Sequence, residues 1–443
     1  MQQPARHRQL AKHAALATYV VLLAGQFSLE RVGLTNPFPI PERAVAASVV
    51  LLFFAHPFSV VRRSGPGTSP VPLVRPVTIL LIVLLLSALW APPSPGLGNA
   101  LWDIATMLAC YVVLVQALQT SRDAVVSVFM TSSLAAGVLF ALVGLSSSGQ
   151  GERIAAFGGG PNVYARITGM GLVAAIYFAM RERGRRQGAA VALTPLLAAA
   201  TVLSGSRGAM AGLAGALFVL LFTIKRRAWR RIIVWLVTSS PLIVVVYLKY
   251  GSVLSSTIQT RIVLLTFQER YTSGRDSLLA VAWDLFAQKP LAGWGLHGFE
   301  ATYGQYRGFT YPHNFVVQLA AETGLLGLTT LALVVGASVA RFRTLPLREP
   351  SVAAFLAGTA LFAVASQFSG DYYDSRMLWA LLLITGSALP SHTRRRDLHP
   401  MTSDLGGTSR SLSSRPPSDP VTAAPRTARP QSSPPNTRAA PAE

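Results

Sequence analysis

The sequence predicts an all-α polytopic membrane protein with about 12 transmembrane helices and one long outer loop that contains amphipathic helices. The first observation behind this prediction is composition, since 51% of the 443 residues are hydrophobic and only 13% are charged, which is unusual for a soluble domain. The second is that the apolar residues form runs of roughly 20, the length that crosses a bilayer as a helix. The third is that basic residues concentrate in alternate connections between these runs.

The apolar runs give the positions of the predicted spans. The shortest connection, between the seventh and eighth spans, is Ser204-Gly205-Ser206-Arg207-Gly208. The single cysteine, Cys110, lies within the fourth span, so an intramolecular disulfide and a multi-cysteine metal site are excluded. The spans begin near Ala14, Ala44, Val77, Ala100, Ala124, Val163, Ala189, Gly208, Ile232, Leu325, Val352 and Met377.

The net charge of +21 alone would suggest a nucleic-acid partner, but its distribution indicates membrane topology instead. If the N-terminus is cytoplasmic, most of the 39 lysines and arginines fall in the cytoplasmic connections and the two tails, as the positive-inside rule requires. We therefore expect a multi-pass protein of the cytoplasmic membrane with both termini inside, whose basic runs touch anionic lipid. Residues 151–162, 249–313 and 369–376 are then extracytoplasmic.

The long outer loop, residues 249–313, has the composition of an ordered segment. Within it, Asp276–Gln288 carries apolar residues at helical spacing and is followed by Lys289-Pro290, a pattern that predicts an amphipathic helix along the membrane interface. Residues 1–390 are therefore expected to form one transmembrane domain that includes this loop. Residues 391–443 are rich in Pro, Ser, Thr, Ala and Arg, which predicts a disordered cytoplasmic tail.

His313 is the candidate proton acceptor, because a neutral imidazole takes up a proton near physiological pH. A histidine that merely caps a helix or sits at the membrane interface is the alternative interpretation. Asn314 is placed to cap the helix that follows. Glu322 lies nine residues beyond His313, on the opposite face of a regular helix, so it is not expected to orient His313 directly; it is expected to pair with an arginine or to face a polar cavity.

Arginines near the predicted outer face are candidates for binding an anion. Arg207 stands in the short turn between two apolar spans, where a snorkelling side chain is the alternative. Arg275 begins the predicted loop helix, and its guanidinium together with free backbone amides suits a phosphate or diphosphate. Arg270 and Arg261 are neighbouring candidates, for which a solvated surface position is the alternative.

Two further polar groups fall in outer segments. Asn162 follows Phe157-Gly158-Gly159-Gly160-Pro161 and is grouped with Arg153 and Arg166. Asp371, Asp374 and Arg376 lie together before the last span. Two carboxylates three residues apart suit a metal ion or sugar hydroxyls, and a polar loop that satisfies itself is an equally good interpretation.

Together these positions resemble the O-antigen ligase and polymerase family of bacterial membrane glycosyltransferases. The order of the elements and the single large outer loop match that family. One motif departs from it, since Gly-Pro-Asn stands where Asn-Pro-Asn is usual. The resemblance rests on residues 157–162, 204–208, Gly274-Arg275 with residues 283–298, and Pro312-His313-Asn314 with the helix that runs to Gly327.

The resemblance implies a glycosyltransferase with an outward-facing cavity entered from lipid. Its donor would be a glycan on an undecaprenyl-diphosphate-type carrier, and an acceptor hydroxyl would attack the anomeric carbon with inversion. His313 would accept the proton of that hydroxyl, and Arg207 and Arg275 would neutralise the departing diphosphate. Neither a metal nor another cofactor is implied.

The remaining candidates are assigned to substrate binding, and the expected partners are membrane lipid, the lipid-linked donor and a glycan, glycolipid or protein acceptor. Within the family, a ligase attaches a finished glycan to a different acceptor and a polymerase extends its own repeat unit; no residue separates the two. A transporter or flippase for lipid-linked sugars is the alternative from another class, although the sequence shows no internal symmetry. The assigned substrate-binding residues are Asn162, Arg153, Arg270, Asn314 and Glu322.

Overall fold

The structure is a computed structural model that describes residues 2–25, 29–32, 34–38, 40–64, 71–146, 153–224, 230, 233–234, 237, 240–260, 264, 274–304 and 308–388. All of these residues belong to one compact unit, Met1–Arg395. The predicted tail at residues 391–443 lies outside the described residues. Two candidate residues of the long loop, Arg261 and Arg270, lie outside them as well.

The described residues contain no strand and form 12 α-helices, which confirms the predicted all-α class. Short 3₁₀ turns occur at Leu29–Val32 and Ala88–Trp90, and a π-helical turn occurs at Glu300–Gly304. Numbered in chain order, the helices are α1 Gln2–Ala24, α2 Glu42–Ser64, α3 Val74–Ser87, α4 Leu97–Ser146, α5 Pro161–Arg181, α6 Arg185–Leu203, α7 Arg207–Thr223, α8 Ser240–Thr257, α9 Arg275–Gln288, α10 Phe315–Phe342, α11 Pro350–Ala365 and α12 Arg376–Gly386.

Five helices in the described part of the chain are long and apolar enough to cross a membrane, and they lie in α2, α4, α5, α6 and α10. Helices α3, α7, α11 and α12 are shorter apolar segments. Helix α4 is interrupted at Ser121, where the backbone leaves the helical conformation. Its 50 residues would span about 75 Å if straight, more than twice a hydrocarbon core, so α4 holds both spans predicted from Ala100 and Ala124. The total of 12 spans stays a prediction.

The helix bundle brings the predicted outer connections together at one end, called here the loop end. It is defined by residues 90–96, 153–162, 204–207, 290–304, 308–314 and 366–376. Hydrogen bonds join these segments to one another: the Gly96 amide donates to Glu300, and Asn162 contacts both Ser206 and Ser369. The alternation of spans predicts that these connections share one side of the protein, and the structure has them together at one end.

Helix α10 is broken at Gly324, and the long loop docks on this break. Gly324 has φ 62° and ψ −152°, so the backbone groups around it lose their partners within the helix and need others. Residues 289–298, the Gly-rich turn, provide them. The four docking hydrogen bonds run from Trp294 N to Ala321 O (3.0 Å), Gly295 N to Glu322 O (2.7 Å), Leu325 N to Pro290 O (2.7 Å) and Leu326 N to Leu291 O (3.1 Å).

Glycine is required on both sides of this docking contact. A Cβ atom at Gly324 would stand 2.6 Å from the backbone carbon of Leu291, and one at Gly293 would stand 2.4 Å from that of Glu322. Both residues also have positive φ, which strains any residue that carries a Cβ. The Gly-rich composition of the turn thus follows from the close approach of two backbones.

Helix α9 is held against α10 by its apolar face. Leu278, Ala282 and Leu285 are buried and pack in one cluster with Phe299 and with residues of α10. The helix begins at Arg275 after Gly274, whose φ is 72°, and no side chain caps it. The predicted amphipathic helix is therefore present with nearly the predicted bounds, and its apolar face contacts protein.

The break in α10 generates a prediction about stability. Gly324→Ala should lower the free energy of unfolding by about 1–3 kcal/mol, because the added Cβ strains a positive φ and pushes the Gly-rich turn away. Gly336→Ala in the same helix is the matched control: a Cβ there meets nothing within 4 Å, so helix propensity should leave stability unchanged or raised. Thermal unfolding of the purified protein in detergent measures both; equal melting temperatures would contradict the role given to Gly324.

Candidate active site

Arg207 stands at the first position of α7, directly after a tight turn. Gly205 has φ 62°, which lets the chain reverse between α6 and α7. Ser206 then caps α7, because its hydroxyl accepts a hydrogen bond from the Ala209 amide at 3.3 Å. The Arg207 side chain is half-buried at the loop end.

Asn162 and Arg153 brace the turn that carries Arg207. The Asn162 side-chain oxygen accepts a hydrogen bond from the Ser206 hydroxyl at 2.7 Å, and its nitrogen donates to the Ser369 hydroxyl at 2.7 Å. Arg153 Nε donates to the Ser204 carbonyl at 3.2 Å. Both side chains therefore hold the position of Arg207, and the amide of Asn162 is engaged on both sides.

Arg166 fixes the segment before α12 from inside the bundle. This side chain is buried, and its guanidinium donates to the carbonyls of Ala365 at 3.1 Å, Asp374 at 3.4 Å and Ser369. A buried cation needs such acceptors because it has left water. The Arg166 side chain is thus committed to shaping residues 366–375.

His313 sits in a strained connection whose two ends are fixed. Its φ is 60°, a left-handed conformation that is uncommon for a residue with a side chain. Asn314 caps α10 through the Val317 amide at 3.0 Å and donates to the Gln367 carbonyl at 3.1 Å. Asn314 is therefore a helix cap, as the sequence indicates, and it also ties His313 to residues 366–375.

The His313 ring is half-buried and electrostatically poised to be neutral. Burial lowers its pKa, Arg275 lowers it further, and Asp374 partly offsets both. The ring packs edge-on against Tyr311, with centroids 4.6 Å apart. Its Nδ1 atom is buried and has no hydrogen-bond partner among the described residues, and such a group calls for an explanation. A neutral imidazole with an unused ring nitrogen is suited to exchange a proton with a bound molecule.

Arg275 and Arg207 bring two positive charges close to each other. Burial lowers the pKa of Arg275, Arg207 lowers it further, and the Tyr311 hydroxyl opposes these effects. Arg275 also lowers the pKa of His313, so the guanidinium lies near the imidazole. The structure thus places Arg275 within electrostatic range of both other residues that the sequence proposed for chemistry, Arg207 and His313. Converging cations favour an anion bound between them.

A cavity of about 500 Å³ opens at the loop end, and its lining includes Tyr311 and Asp374, two neighbours of His313. One part of its wall is apolar and is formed by side chains such as Val20, Leu139 and Phe157, each of them exposed. The other part is polar and includes Asn162, Tyr311, Ser369, Asp374 and Arg376. Burial raises the pKa of Tyr311, as do Asp374 and Asp371, so its hydroxyl keeps its proton. The cavity can accommodate an amphipathic molecule with its polar end towards His313.

Glu322 lies apart from His313, as the helix geometry predicted. It is fully buried and contacts Gln318 at 3.5 Å. Its carboxylate faces the backbone amide of His297 and the side chain of Tyr372. Among the described residues, His297 is the cationic side chain that acts on Glu322, where the sequence offered an arginine or a polar cavity.

Sequence reasoning gave too little weight to Tyr311, Asp374 and His297. Asp374 was visible only as one acid in a polar run, and its approach to His313 depends on the buried hydrogen bonds of Arg166. Burial and Asp374 together raise the pKa of Asp371. In the part of the chain that the structure describes, no three His, Cys, Asp or Glu side chains are arranged to hold a metal ion.

Comparison with known proteins gives one family. A family model described as O-antigen ligase matches residues 190–332, a segment that contains Arg207, Arg275 and His313. This match confirms the resemblance drawn from the sequence. No curated protein matches the chain.

The bracing of Arg207 yields a second prediction. Asn162→Ala removes two hydrogen bonds and should lower the free energy of unfolding by about 1–3 kcal/mol, whereas Ser369→Ala removes one and should lower it by about half as much. Chemical denaturation in detergent, with unchanged slopes, measures the two values. A Ser369→Ala loss as large as that of Asn162→Ala would show that Asn162 does not hold the turn through Ser206.

Proposed function

Since residues 190–332 match a family model described as O-antigen ligase, we propose that the chain transfers a glycan from an undecaprenyl-diphosphate-type lipid carrier to an acceptor hydroxyl. The family supports a membrane glycosyltransferase of the O-antigen ligase or polymerase type in general terms. The finer proposal is an inverting, metal-independent ligase of cell-surface polysaccharide. It acts at the extracytoplasmic face of the cytoplasmic membrane, with both termini in the cytoplasm.

The convergence of His313 with Arg275 and Arg207 carries this proposal. A group that is neutral beside two cations combines a proton acceptor with a site for negative charge. A glycosyl diphosphate needs both, because the attacking hydroxyl loses a proton while the diphosphate gains charge. The effect of Arg275 on the pKa of His313 and the effect of Arg207 on the pKa of Arg275 support the placement of Arg275 between the other two residues.

The proposed step is a direct displacement. The acceptor oxygen forms a bond to the anomeric carbon as the bond from that carbon to the diphosphate oxygen breaks. The hydroxyl proton passes to the neutral imidazole of His313, and the bonding pair leaves with the lipid diphosphate. Arg207 and Arg275 neutralise this developing charge by charge-assisted hydrogen bonds. Attack from the face opposite the leaving group inverts the anomeric centre.

Asp374 stabilises the imidazolium that forms during transfer. Its carboxylate raises the pKa of His313 against the effects of burial and Arg275, so it favours the protonated ring once the proton has arrived. Asp374 also lines the cavity, where a carboxylate can accept hydrogen bonds from sugar hydroxyls. We assign it both roles, because the electrostatic effect on His313 does not require a hydrogen bond between the two side chains.

The cavity is proposed to hold the lipid-linked donor near its reacting end. The apolar wall on α1 and α4 suits a hydrocarbon chain, and the polar wall beside Tyr311 suits the first sugar. Three of the residues assigned to substrate binding instead contact the protein itself. We propose that they position the reacting groups through the hydrogen bonds described above, and they are Asn162, Arg153 and Asn314. Glu322 is buried and contacts other protein groups, so we assign it no direct contact with the substrate. Arg270 keeps its proposed role in binding the donor.

The glycan that accumulates in a strain without the protein distinguishes a ligase from a polymerase and from a flippase. Loss of a ligase would leave full-length glycan on the lipid carrier, whereas loss of a polymerase would leave a single repeat unit in place of a ladder. A flippase would leave the lipid-linked glycan on the cytoplasmic side. Extraction of the carrier-linked glycan and sizing on a gel distinguish the first two outcomes, and surface labelling of the carrier-linked glycan identifies the third.

A direct assay tests the assigned chemistry. Purified protein is supplied with an undecaprenyl-diphosphate oligosaccharide and, separately, with a glycolipid, a soluble glycan and a peptide acceptor. His313→Ala should reduce kcat by about 10²–10⁴-fold because the proton acceptor is lost. Arg275→Gln should reduce it by about 10²–10³-fold because the diphosphate loses a charge-assisted partner.

Arg183→Gln is the matched control for charge, since Arg183 is exposed in the α5–α6 connection, outside the loop end. It should transfer at the parental rate. Transfer by His313→Ala or Arg275→Gln as fast as by the parent would remove the corresponding role. Absence of transfer by the parent with every acceptor, together with movement of labelled donor across proteoliposomes, would favour the flippase.

The environment of His313 predicts the acid limb of the pH profile. A base must be unprotonated, so kcat/KM should fall as pH drops through the His313 pKa, which burial and Arg275 hold below its ordinary value near 6.5. Asp374→Asn removes the carboxylate that raises this pKa and should move the acid limb to lower pH. Steady-state rates from about pH 4.5 to 8 measure the shift; a limb that stays in place in Asp374→Asn would exclude His313 as the titrating group or Asp374 as its neighbour.

A further inference from the structure

A second buried group of charges lies at the end of the Gly-rich turn and is centred on His297. Its Nδ1 atom is 3.0 Å from Glu300 Oε2. The same Glu300 oxygen accepts the Gly96 amide at 2.9 Å. His297 therefore connects the turn to the segment between α3 and α4, at a point where a Cβ on Gly96 would stand 2.6 Å from the ring.

Glu322 brings a second carboxylate to the same place from α10. The residue is fully buried, its carboxylate faces the His297 amide, and its Oε2 atom has no hydrogen-bond partner of ordinary geometry among the described residues. A buried carboxylate without compensation is unfavourable. Its nearest source of positive charge in this group is the His297 ring.

Asp371 supplies a third carboxylate, from the segment before α12. Asp371 raises the pKa of His297 and that of Tyr372, while Arg376 lowers the pKa of Asp371. Asp371 Oδ1 also accepts the backbone amide of Asp374 at 2.9 Å. Asp371 thus connects the group at His297 to the backbone of Asp374, the residue whose carboxylate acts on His313.

The surrounding carboxylates favour the protonated form of His297. Burial would lower its pKa, but Glu322, Glu300 and Asp371 together raise it above the ordinary value. The His297 backbone has φ 60°, a conformation that costs free energy in a residue with a side chain. A strained backbone that presents a charged ring to three acids indicates that the ring holds this part of the loop in place.

We propose that His297 is a positioning residue: its imidazolium latches the Gly-rich turn onto the broken helix α10 and, through Asp371, sets the carboxylate of Asp374 that faces His313. The latch itself concerns docking of the loop and stands without any assumption about chemistry. Its effect on glycan transfer rests on the proposed function.

The latch should open at alkaline pH. A group whose folded pKa is raised stabilises the folded arrangement below its unfolded pKa, near 6.5 for histidine, and that stabilisation is lost as pH rises through the folded value. Deprotonation of His297 leaves Glu300, Glu322 and Asp371 without their shared cation. The docking hydrogen bonds of the turn should then open more often.

Hydrogen exchange of the docking amides, those of Trp294, Gly295, Leu325 and Leu326, measures the latch without any substrate. In the parent, their protection, corrected for the intrinsic effect of pH, should fall about tenfold or more between pH 6 and pH 9.5. In His297→Gln it should be low and flat across this range. Protection of amides in α5 verifies that each variant is folded.

Glu322→Gln separates the charge interaction from loss of a side chain. It keeps the shape of the residue and the backbone carbonyl that accepts the Gly295 amide, but it removes one carboxylate that raises the His297 pKa. The fall in protection should therefore move to lower pH. The double variant His297→Gln, Glu322→Gln should recover part of the protection lost in His297→Gln, since one uncompensated carboxylate is gone. Asp284→Asn, an exposed acid on α9, should match the parent.

Pairs of outcomes distinguish the latch from the proposed function. Parental protection that is flat with pH, or that is unchanged in His297→Gln, would overturn the latch whatever the transfer assay shows. An unshifted fall in Glu322→Gln would overturn the pairing of these two residues. If these results support the latch, the transfer rate of the parent should fall at alkaline pH together with the protection of the docking amides. In Glu322→Gln the alkaline fall in transfer rate should occur at lower pH, while the acid limb of the pH profile stays in place. Transfer that keeps its rate while the docking amides open would show that the latch does not position the reacting groups.

Discussion

The pairing of the Gly-rich turn with the break in α10 is the contact on which the loop end depends. Four backbone hydrogen bonds join residues 290–295 to residues 321–326, and glycine on each side allows the chains to approach. This contact holds α9 against α10 and so fixes where the helix begins. Arg275 occupies that beginning, and it reaches His313 and Arg207 because the loop is folded back in this way.

Buried arginines complete the arrangement from the opposite side. Arg166 donates to three carbonyls of the segment before α12, and Arg376 donates to the carbonyls of Leu22 and Tyr373. Because their guanidinium groups donate hydrogen bonds to backbone carbonyls, these two arginines fix the shape of the polar wall of the cavity. Arg275 instead lies within electrostatic range of Arg207 and of the His313 imidazole.

Sequence alone predicted the features that depend on local pattern. Apolar runs located the helices, and the alternation of spans brought His313, Arg207 and Arg275 to one end. Helical geometry separated Glu322 from His313. The partners of Asn162 and the surroundings of His297 were beyond such reasoning, because they join residues that are far apart in the chain. The close approach of backbones at Gly293 and Gly324 likewise follows only from the three-dimensional path of the loop.

The left-handed backbone at His313 has a consequence for how this site can change. Glycine would relieve the strain at φ 60°, whereas every other replacement that lacks the ring would retain much of it. Stability and chemistry therefore pull in opposite directions at a single position. A search that ranked substitutions by thermal tolerance would favour discarding the imidazole, and drift towards a sturdier but inert protein would be easiest at this residue. The proposed role of His313 as a proton acceptor would explain why a histidine stands where the backbone favours glycine.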